Sequence, residues 1–125
     1  MKNFNFLKNN NCYVIAEAGL NHNGSIEIAK KLIDLASKSG ANAVKFQKRT
    51  VDDLATKSVL NAKDDRFPEF GNTYKEIREF LEFDEAEYIE LYEYANTRNI
   101  DFIVTAFDIK AFNFLKSLGI KIIKL

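Results

Sequence analysis

Polar side chains that could do chemistry lie where the predicted strands of this 125-residue sequence end. They are two lysines, a carboxylate, an amide and a hydroxyl: Glu17, Lys45, Gln47, Thr105 and Lys124. In α/β proteins, ligands bind at the carboxyl ends of the parallel strands. Lysine and hydroxyl groups at one such rim suit a phosphate, because they neutralise its oxyanions at short range. Each residue alone could simply mark a strand emerging into solvent, but five of them together favour a ligand site.

Four strands must position these side chains. Their pattern predicts strands at Cys12–Ala16 with Glu17 at the end, Ala41–Gln47, Ile100–Ala106 and Ile120–Leu125. Side chains alternate between the two faces of a strand. Lys45 and Gln47 therefore share one face with Ala43, while Val44 and Phe46 face the covering helices. By the same alternation, Glu17 at the end of the first strand and Lys124 at the end of the fourth strand should lie on the same face of the sheet as Lys45.

Helix start and stop signals separate the strands. The expected N-caps are Ser25, Asp84 and Asp108, and the expected ends are Gly40, about Arg98 and Gly119. A side-chain oxygen at the N-cap accepts a backbone N–H, and glycine supplies the left-handed residue that ends a helix. Strands and helices that alternate in this way predict βαβ units, and hence a parallel sheet.

One long segment interrupts the alternation. Residues Thr50–Phe83 exceed a simple loop, and they include a predicted short helix, Tyr74–Leu81. Long insertions in compact α/β domains are commonly lids or binding loops. Most charges of the short helix should face solvent, although Arg78 is placed to meet an acidic substrate.

Composition excludes several classes of function. The formal net charge is zero, so nothing favours binding to nucleic acid or to an anionic membrane surface. No apolar run approaches the roughly 20 residues needed to span a bilayer. Cys12 is the single cysteine and cannot form an internal disulfide, which points to a reducing cytoplasm. We expect Cys12 to pack inside the sheet, and aromatic residues such as Tyr88 and Phe107 to pack in the core.

The single histidine lies in a polar turn, Asn21–Gly24. A lone histidine in such a turn is more often a hydrogen-bonding anchor than a metal ligand, because metal sites usually need three or four protein ligands. With one histidine and one cysteine, the sequence predicts no metal-binding cluster in this chain.

Two sequence motifs resemble those of a known family. The string IAEAGLNHNG at positions 15–24 resembles the opening of sialic acid synthases and of their relatives that make legionaminic acid, pseudaminic acid and spore-coat sugars. The string GANAVKFQ at positions 40–47 continues the resemblance. Shorter matches lie at Ala29–Ile33, at Arg78–Phe83 and at Ile123–Lys124.

The resemblance implies a (β/α)8 TIM barrel that condenses phosphoenolpyruvate with the open-chain aldehyde of an N-acetylated hexosamine. It implies that Glu17 is the active-site carboxylate. It assigns phosphoenolpyruvate binding to Lys45, Gln47 and Lys124, with Thr105 in support. Sugar or loop contacts then fall to Asn21, His22, Asn23 and Arg78.

The same resemblance implies features that this sequence does not contain. Members of the family use a divalent metal, Mn²⁺ or Mg²⁺, that polarises the aldehyde, and its histidine ligands come from later strands. A small antifreeze-like domain follows the barrel, and homodimers are expected for the full-length family. We therefore expect residues 1–11 to be an N-terminal extension and residues 12–125 to be the N-terminal half of the barrel. The isolated chain should be inactive.

Two other functions fit the same sequence. A non-catalytic half-barrel could bind phosphosugars or assemble with a partner chain through its open strand edges. A phosphosugar aldolase, or another enolpyruvyl-transfer barrel, shares the architecture but gives no reason for the motif from Glu17 to Gly24.

Overall fold

The structure is a computed structural model that describes residues 12–125. The expected N-terminal extension, residues 1–11, lies outside the described residues. The strands are β1 (Ile15–Gly19), β2 (Ala43–Lys48), β3 (Asp101–Ala106) and β4 (Ile122–Lys124). The helices are α1 (Ile26–Lys38), α2 (Lys57–Leu60), α3 (Tyr74–Leu81), α4 (Glu85–Thr97) and α5 (Ile109–Ser117).

The four strands form one parallel sheet in the order β1-β2-β3-β4. Val44 and Phe46 of β2 lie in the hydrophobic core with residues of α1 and α4, as their alternation predicts. Lys45 and Gln47 lie on the opposite face of the strand. The structure therefore confirms the α/β class and the predicted faces of β2.

The helix caps follow the sequence signals closely. Ser25 caps α1 by accepting a hydrogen bond from the Ile28 N–H. The predicted capping box at Asp84 and Glu87 is present, and Asp108 accepts the Ala111 N–H at the start of α5. Each cap satisfies a backbone donor that has no partner within its helix.

Three strands begin one or two residues later than predicted, for a common reason. The N–H groups of Ala41, Ile100 and Ile120 each bond to the carbonyl five residues earlier, at the end of the preceding helix. This 6→1 bond is that of a Schellman motif, and a left-handed residue precedes it each time: Gly40, Asn99 and Gly119. The residues expected to open β2, β3 and β4 therefore complete helix ends.

The prediction for the start of β1 was wrong. Cys12 is exposed and precedes the strand, so it does not pack inside the sheet. The reason lies in the register, because β2 begins at Ala43 and Ala43 pairs with Ile15. The Val14 carbonyl accepts the Asn42 N–H at 2.9 Å as the chain enters this pairing, so Cys12 lies before the sheet begins.

The inserted segment has more structure than the sequence predicts. The helix Tyr74–Leu81 is confirmed, and a capping box at Thr73 begins it. A 3₁₀ turn at Val51–Asp53 and the short α2 were not predicted. The segment starts at Thr50, whose N–H and hydroxyl both donate to the Asp108 carboxylate, at 2.6 and 2.9 Å. Asp108 thus begins α5 and fixes the insertion at the same time.

Candidate functional site

The carboxyl ends of the four strands form a rim, and the strand register aligns the predicted site residues along it. Glu17 of β1 pairs with Lys45 of β2. One step further along the strands, Gln47, Thr105 and Lys124 are successive partners across β2, β3 and β4. We call these three residues the polar row. It crosses two inter-strand spacings, about 10 Å, so a small anion can meet several of its groups.

Lys45 and Glu17 form a direct ion pair on the same face as the polar row. The Lys45 side chain is largely buried at 13% exposed, whereas that of Glu17 is 49% exposed. The Lys45 ammonium group is little exposed, and its partner carboxylate is half-exposed. An anionic ligand can therefore replace Glu17 as the partner of Lys45.

Gln47 is fixed at both its backbone and its side chain. The Tyr88 hydroxyl donates to the Gln47 carbonyl oxygen, and burial raises the pKa of Tyr88 well above its ordinary value. Arg49 donates to the Gln47 side-chain oxygen Oε1. Gly19 lies beside this amide, and a Cβ added at position 19 would be 3.3 Å from Gln47 Nε2 and 3.3 Å from Glu17 Oε1. Because glycine has no Cβ, both side chains have room.

A buried charge cluster that the sequence analysis missed lies behind the rim. Lys48 Nζ donates to Glu82 Oε1 at 3.2 Å and to the Phe83 carbonyl at 2.8 Å. The Arg49 N–H donates to the same Glu82 oxygen at 3.0 Å. Burial raises the pKa of Glu82 despite these cations. The available signal was the Lys48-Arg49 pair directly after a buried strand, which needs an acid from another part of the chain.

Arg49 is the most deeply buried cation of this cluster, with 7% of its side chain exposed. Its guanidinium lies 4.0 Å from the ring centroid of Phe107, which is half-exposed at the rim rather than in the core as predicted. Burial lowers the pKa of Arg49 from its ordinary value. The guanidinium nonetheless stays charged, because its ordinary pKa is so high.

His22 anchors the turn that follows β1. Its ring is buried and stacks on Phe83 with centroids 4.1 Å apart, and Nδ1 accepts the Gly24 N–H at 3.1 Å. Burial, together with the charge of Arg49, lowers the pKa of His22 to about 4. Asn21 and Asn23 are exposed on the same turn, so these two side chains, rather than the imidazole, are available to a ligand.

Arg78 lies on α3, away from the polar row in sequence but near Arg49 in space. Its charge contributes to the lowered pKa of Arg49, behind the larger effect of burial. Its guanidinium is 5.0 Å from the Tyr74 ring centroid, and its buried Nε has no hydrogen-bond partner among the described residues. The helix therefore holds Arg78 inward rather than in solvent.

Two general classes of site are not found within residues 12–125. No group of three or more His, Cys, Asp and Glu side chains there is arranged to hold a metal ion. No helix in that same range has the length and apolar character needed to cross a membrane.

Comparison with known proteins identifies the family. The sequence profile of the NeuB family matches residues 32–125. The chain belongs to the NeuB family.

Two curated relatives give the closeness of the match. The NeuB-family chain is 43% identical over 116 residues to the N,N'-diacetyllegionaminic acid synthase of Legionella pneumophila, covering 91% of this chain and 32% of the relative. It is 39% identical over 113 residues to the N-acetylneuraminate-9-phosphate synthase of Drosophila melanogaster, covering 90% and 30%. The chain thus spans about a third of the length of these relatives.

A solved structure gives the architecture. The N-acetylneuraminic acid (sialic acid) synthetase of Leptospira borgpetersenii, determined in complex with citrate, superposes with a TM-score of 0.72 at 34% identity. The match covers 94% of this chain and 36% of that one. The four parallel strands and their helices correspond to the N-terminal part of a (β/α)8 barrel, as the sequence predicted.

Proposed function

We propose that this chain carries the phosphoenolpyruvate-binding part of a nonulosonic-acid synthase. The reaction condenses phosphoenolpyruvate with the aldehyde of an N-acetylated hexosamine and releases phosphate. The observation that carries the proposal is the alignment of Gln47, Thr105 and Lys124 in one row beside the Lys45–Glu17 pair. The names of the relatives, which are synthases of legionaminic acid and of N-acetylneuraminate 9-phosphate, support the product class.

The lysines bind and orient the anionic substrate. Lys45 and Lys124 offer ammonium groups to the phosphate and carboxylate, while Thr105 and Gln47 offer neutral donors between them. Groups held in advance by the sheet stabilise charge without reorganising during the reaction.

Glu17 handles a proton at the reacting carbons. The C3 carbon of phosphoenolpyruvate attacks the sugar aldehyde, whose oxygen takes up a proton, and a cationic centre forms at C2. Water then adds to C2, and Glu17 accepts its proton as a general base. The C2–O bond to phosphate breaks, phosphate departs with the bonding electrons and takes up the proton of the new C2 hydroxyl, and C2 becomes a ketone.

A divalent metal is not assigned to this part of the chain. Residues 12–125 contain no group of three or more side chains that fits one, so the chemistry proposed for them is anion binding and proton transfer. We propose that residues 12–125 form a partial barrel domain, and that metal ligands, the homodimer contacts and most of the sugar site belong to other parts of a longer synthase.

Calorimetric titration tests the proposal directly. Phosphoenolpyruvate should bind the chain, and inorganic phosphate should compete for the same site. When N-acetylmannosamine and Mn²⁺ are added to this chain together with phosphoenolpyruvate, no phosphate should be released. Absence of any phosphoenolpyruvate binding by folded protein would overturn the assignment of the rim, and turnover would overturn the need for further parts.

A second candidate is a half-barrel that assembles with another chain. Val14 and Leu35 are 50% and 59% exposed beside a cleft of about 390 Å³ between β1 and α1. Such an apolar surface on one sheet edge favours a covering segment. Sedimentation discriminates, since assembly predicts a dimer that Leu35→Glu dissociates, whereas a monodisperse monomer contradicts it.

A further inference from the structure

The side-chain amide of Gln47 is held in one orientation by Arg49. A guanidinium has only donors, so the atom it meets on an amide must be the oxygen. Arg49 Nη2 donates to Gln47 Oε1. The opposite atom, Nε2, is then the one that lies towards Gly19 and Glu17 on the rim.

Arg49 itself is fixed from several sides. Its backbone N–H donates to Glu82 Oε1 at 3.0 Å, while its Nη1 lies 3.9 Å from the other oxygen of Glu82, an ion pair without a hydrogen bond. Its guanidinium stacks on Phe107. Burial at 7% exposure and the contact with Phe107 restrict the movement of this guanidinium, so the amide of Gln47 turns its oxygen towards it.

We propose that Arg49 is a positioning residue that turns the NH₂ group of Gln47 toward an anionic ligand. This inference rests on the proposed function, and it extends that function to a residue that the sequence motifs do not single out. An amide free to flip would present its oxygen to the ligand half of the time, and that oxygen repels carboxylate and phosphate. Arg49 removes this unproductive orientation before the ligand arrives.

The contacts of Arg49 explain why its positive charge lies next to the proposed anion site although Arg49 does not itself contact the ligand. Glu82 partly balances the Arg49 charge, and Gln47 Oε1 takes one of its donors. Arg49 therefore acts on the ligand through Gln47, and Lys45 and Lys124 remain the groups that meet the anion directly.

NMR of the ¹⁵N-labelled protein without ligand tests the orientation. The side-chain amide protons of Gln47 should show nuclear Overhauser contacts to the α protons of Gly19. These contacts should weaken in Arg49→Met, which keeps the apolar stem but has no donor, and should return largely in Arg49→Lys. The control is Arg98→Met, because Arg98 pairs with Asp34 away from the rim and its loss should change nothing.

Affinity for phosphoenolpyruvate supplies the second arm. Arg49→Met should weaken binding about threefold to tenfold, and Arg49→Lys should restore most of the loss. Gln47→Glu keeps the acceptor for Arg49 but removes the NH₂ donor, so it should weaken binding by tenfold or more in a folded protein.

The NMR contacts and the affinities together separate the positioning role of Arg49 from the proposed function. Gly19 contacts that persist unchanged in Arg49→Met overturn the positioning role, whatever the affinities are. Gly19 contacts that depend on Arg49 in a protein that does not bind phosphoenolpyruvate support the positioning role and overturn the proposed ligand. If Arg49→Met does not fold, the Arg49→Lys and Gln47→Glu proteins decide, and normal binding by Gln47→Glu contradicts the inference.

Discussion

Lys45 and Glu17 are direct partners in the parallel register of β1 and β2, and their side chains form an ion pair at the rim. The lysine is mostly buried and the glutamate is half-exposed. The carboxylate therefore competes with any anion that approaches Lys45.

This competition gives opposite effects for the two partners. Glu17→Gln should bind phosphoenolpyruvate a few-fold more tightly, because the competing charge is gone, by roughly 1 kcal/mol. Lys45→Met should bind it about 10- to 100-fold more weakly, through loss of a charge-assisted contact. Calorimetry measures both, with Lys31→Met on the exposed side of α1 as the control. Weaker binding by Glu17→Gln would show that the carboxylate helps to hold the ligand.

His22 should make the protein sensitive to acid. Its pKa falls from 6.5 in the unfolded chain to about 4 in the fold, so the unfolded state binds more protons between these values. The stabilisation is present above about pH 6.5 and is lost as the pH falls towards 4, by roughly 2–3 kcal/mol.

Urea unfolding at several pH values checks this dependence against His22→Gln. Burial raises the pKa of Glu82, which gives a dependence of opposite sign, so the difference between the two proteins isolates the histidine. An identical slope between pH 6.5 and 4 in both proteins would contradict the prediction for His22.

Gly24 and Gly40 should respond differently to the same change. Both have positive φ, 72° and 80°, so alanine at either position incurs backbone strain of about 1 kcal/mol. At Gly24 the added Cβ would also lie 2.4 Å from the Phe80 carbonyl oxygen, whereas at Gly40 it meets open space. Gly24→Ala should therefore reduce the free energy of unfolding by about 1–3 kcal/mol more than Gly40→Ala. Equal losses in thermal unfolding would mean that the insertion moves freely relative to the turn.

Asp108 and Thr50 should be energetically coupled. Asp108→Ala removes both the cap of α5 and the anchor of the insertion, so we expect a loss of about 2 kcal/mol. Thr50→Val removes only the hydroxyl contact and should cost about 1 kcal/mol. A double-mutant cycle should show a coupling of roughly 0.5 kcal/mol or more.

The matched control for this cycle is Thr56→Val. Thr56 is the N-cap of α2, but its side chain makes no capping hydrogen bond. Its hydroxyl contacts the Ser58 hydroxyl at 3.0 Å in an exposed position, so Thr56→Val should lower the free energy of unfolding by less than about 0.5 kcal/mol. Additive effects of the Asp108 and Thr50 changes would indicate that the insertion is held elsewhere.

Local signals predicted much of this fold because each acts within a few residues. The caps at Ser25, Asp84 and Asp108 needed only a side chain and the next turn of backbone. The strand starts were missed because Schellman bonds use the residues that follow the left-handed position, and hydrophobic pattern does not distinguish a helix end from a strand start. Asn99 gave no glycine signal at all.

The candidate site divides in the same way. Strand alternation and family resemblance together pointed to Lys45 and Gln47, since both lie in one motif. Arg49 and Glu82 are 33 residues apart and meet only through the fold. No sequence pattern links two residues at that separation. Their contact and the orientation of Gln47 are therefore seen only in the three-dimensional structure.

The insertion is secured at both of its ends, by Asp108 at Thr50 and by Lys48 and His22 at Glu82 and Phe83. Residues between these two anchored ends can therefore be inserted, deleted or substituted while the rim stays in place. Such a layout separates a segment that can change from the strand ends that support it. Positions 51–81 can then be remodelled without rebuilding the groups at the carboxyl ends of the strands.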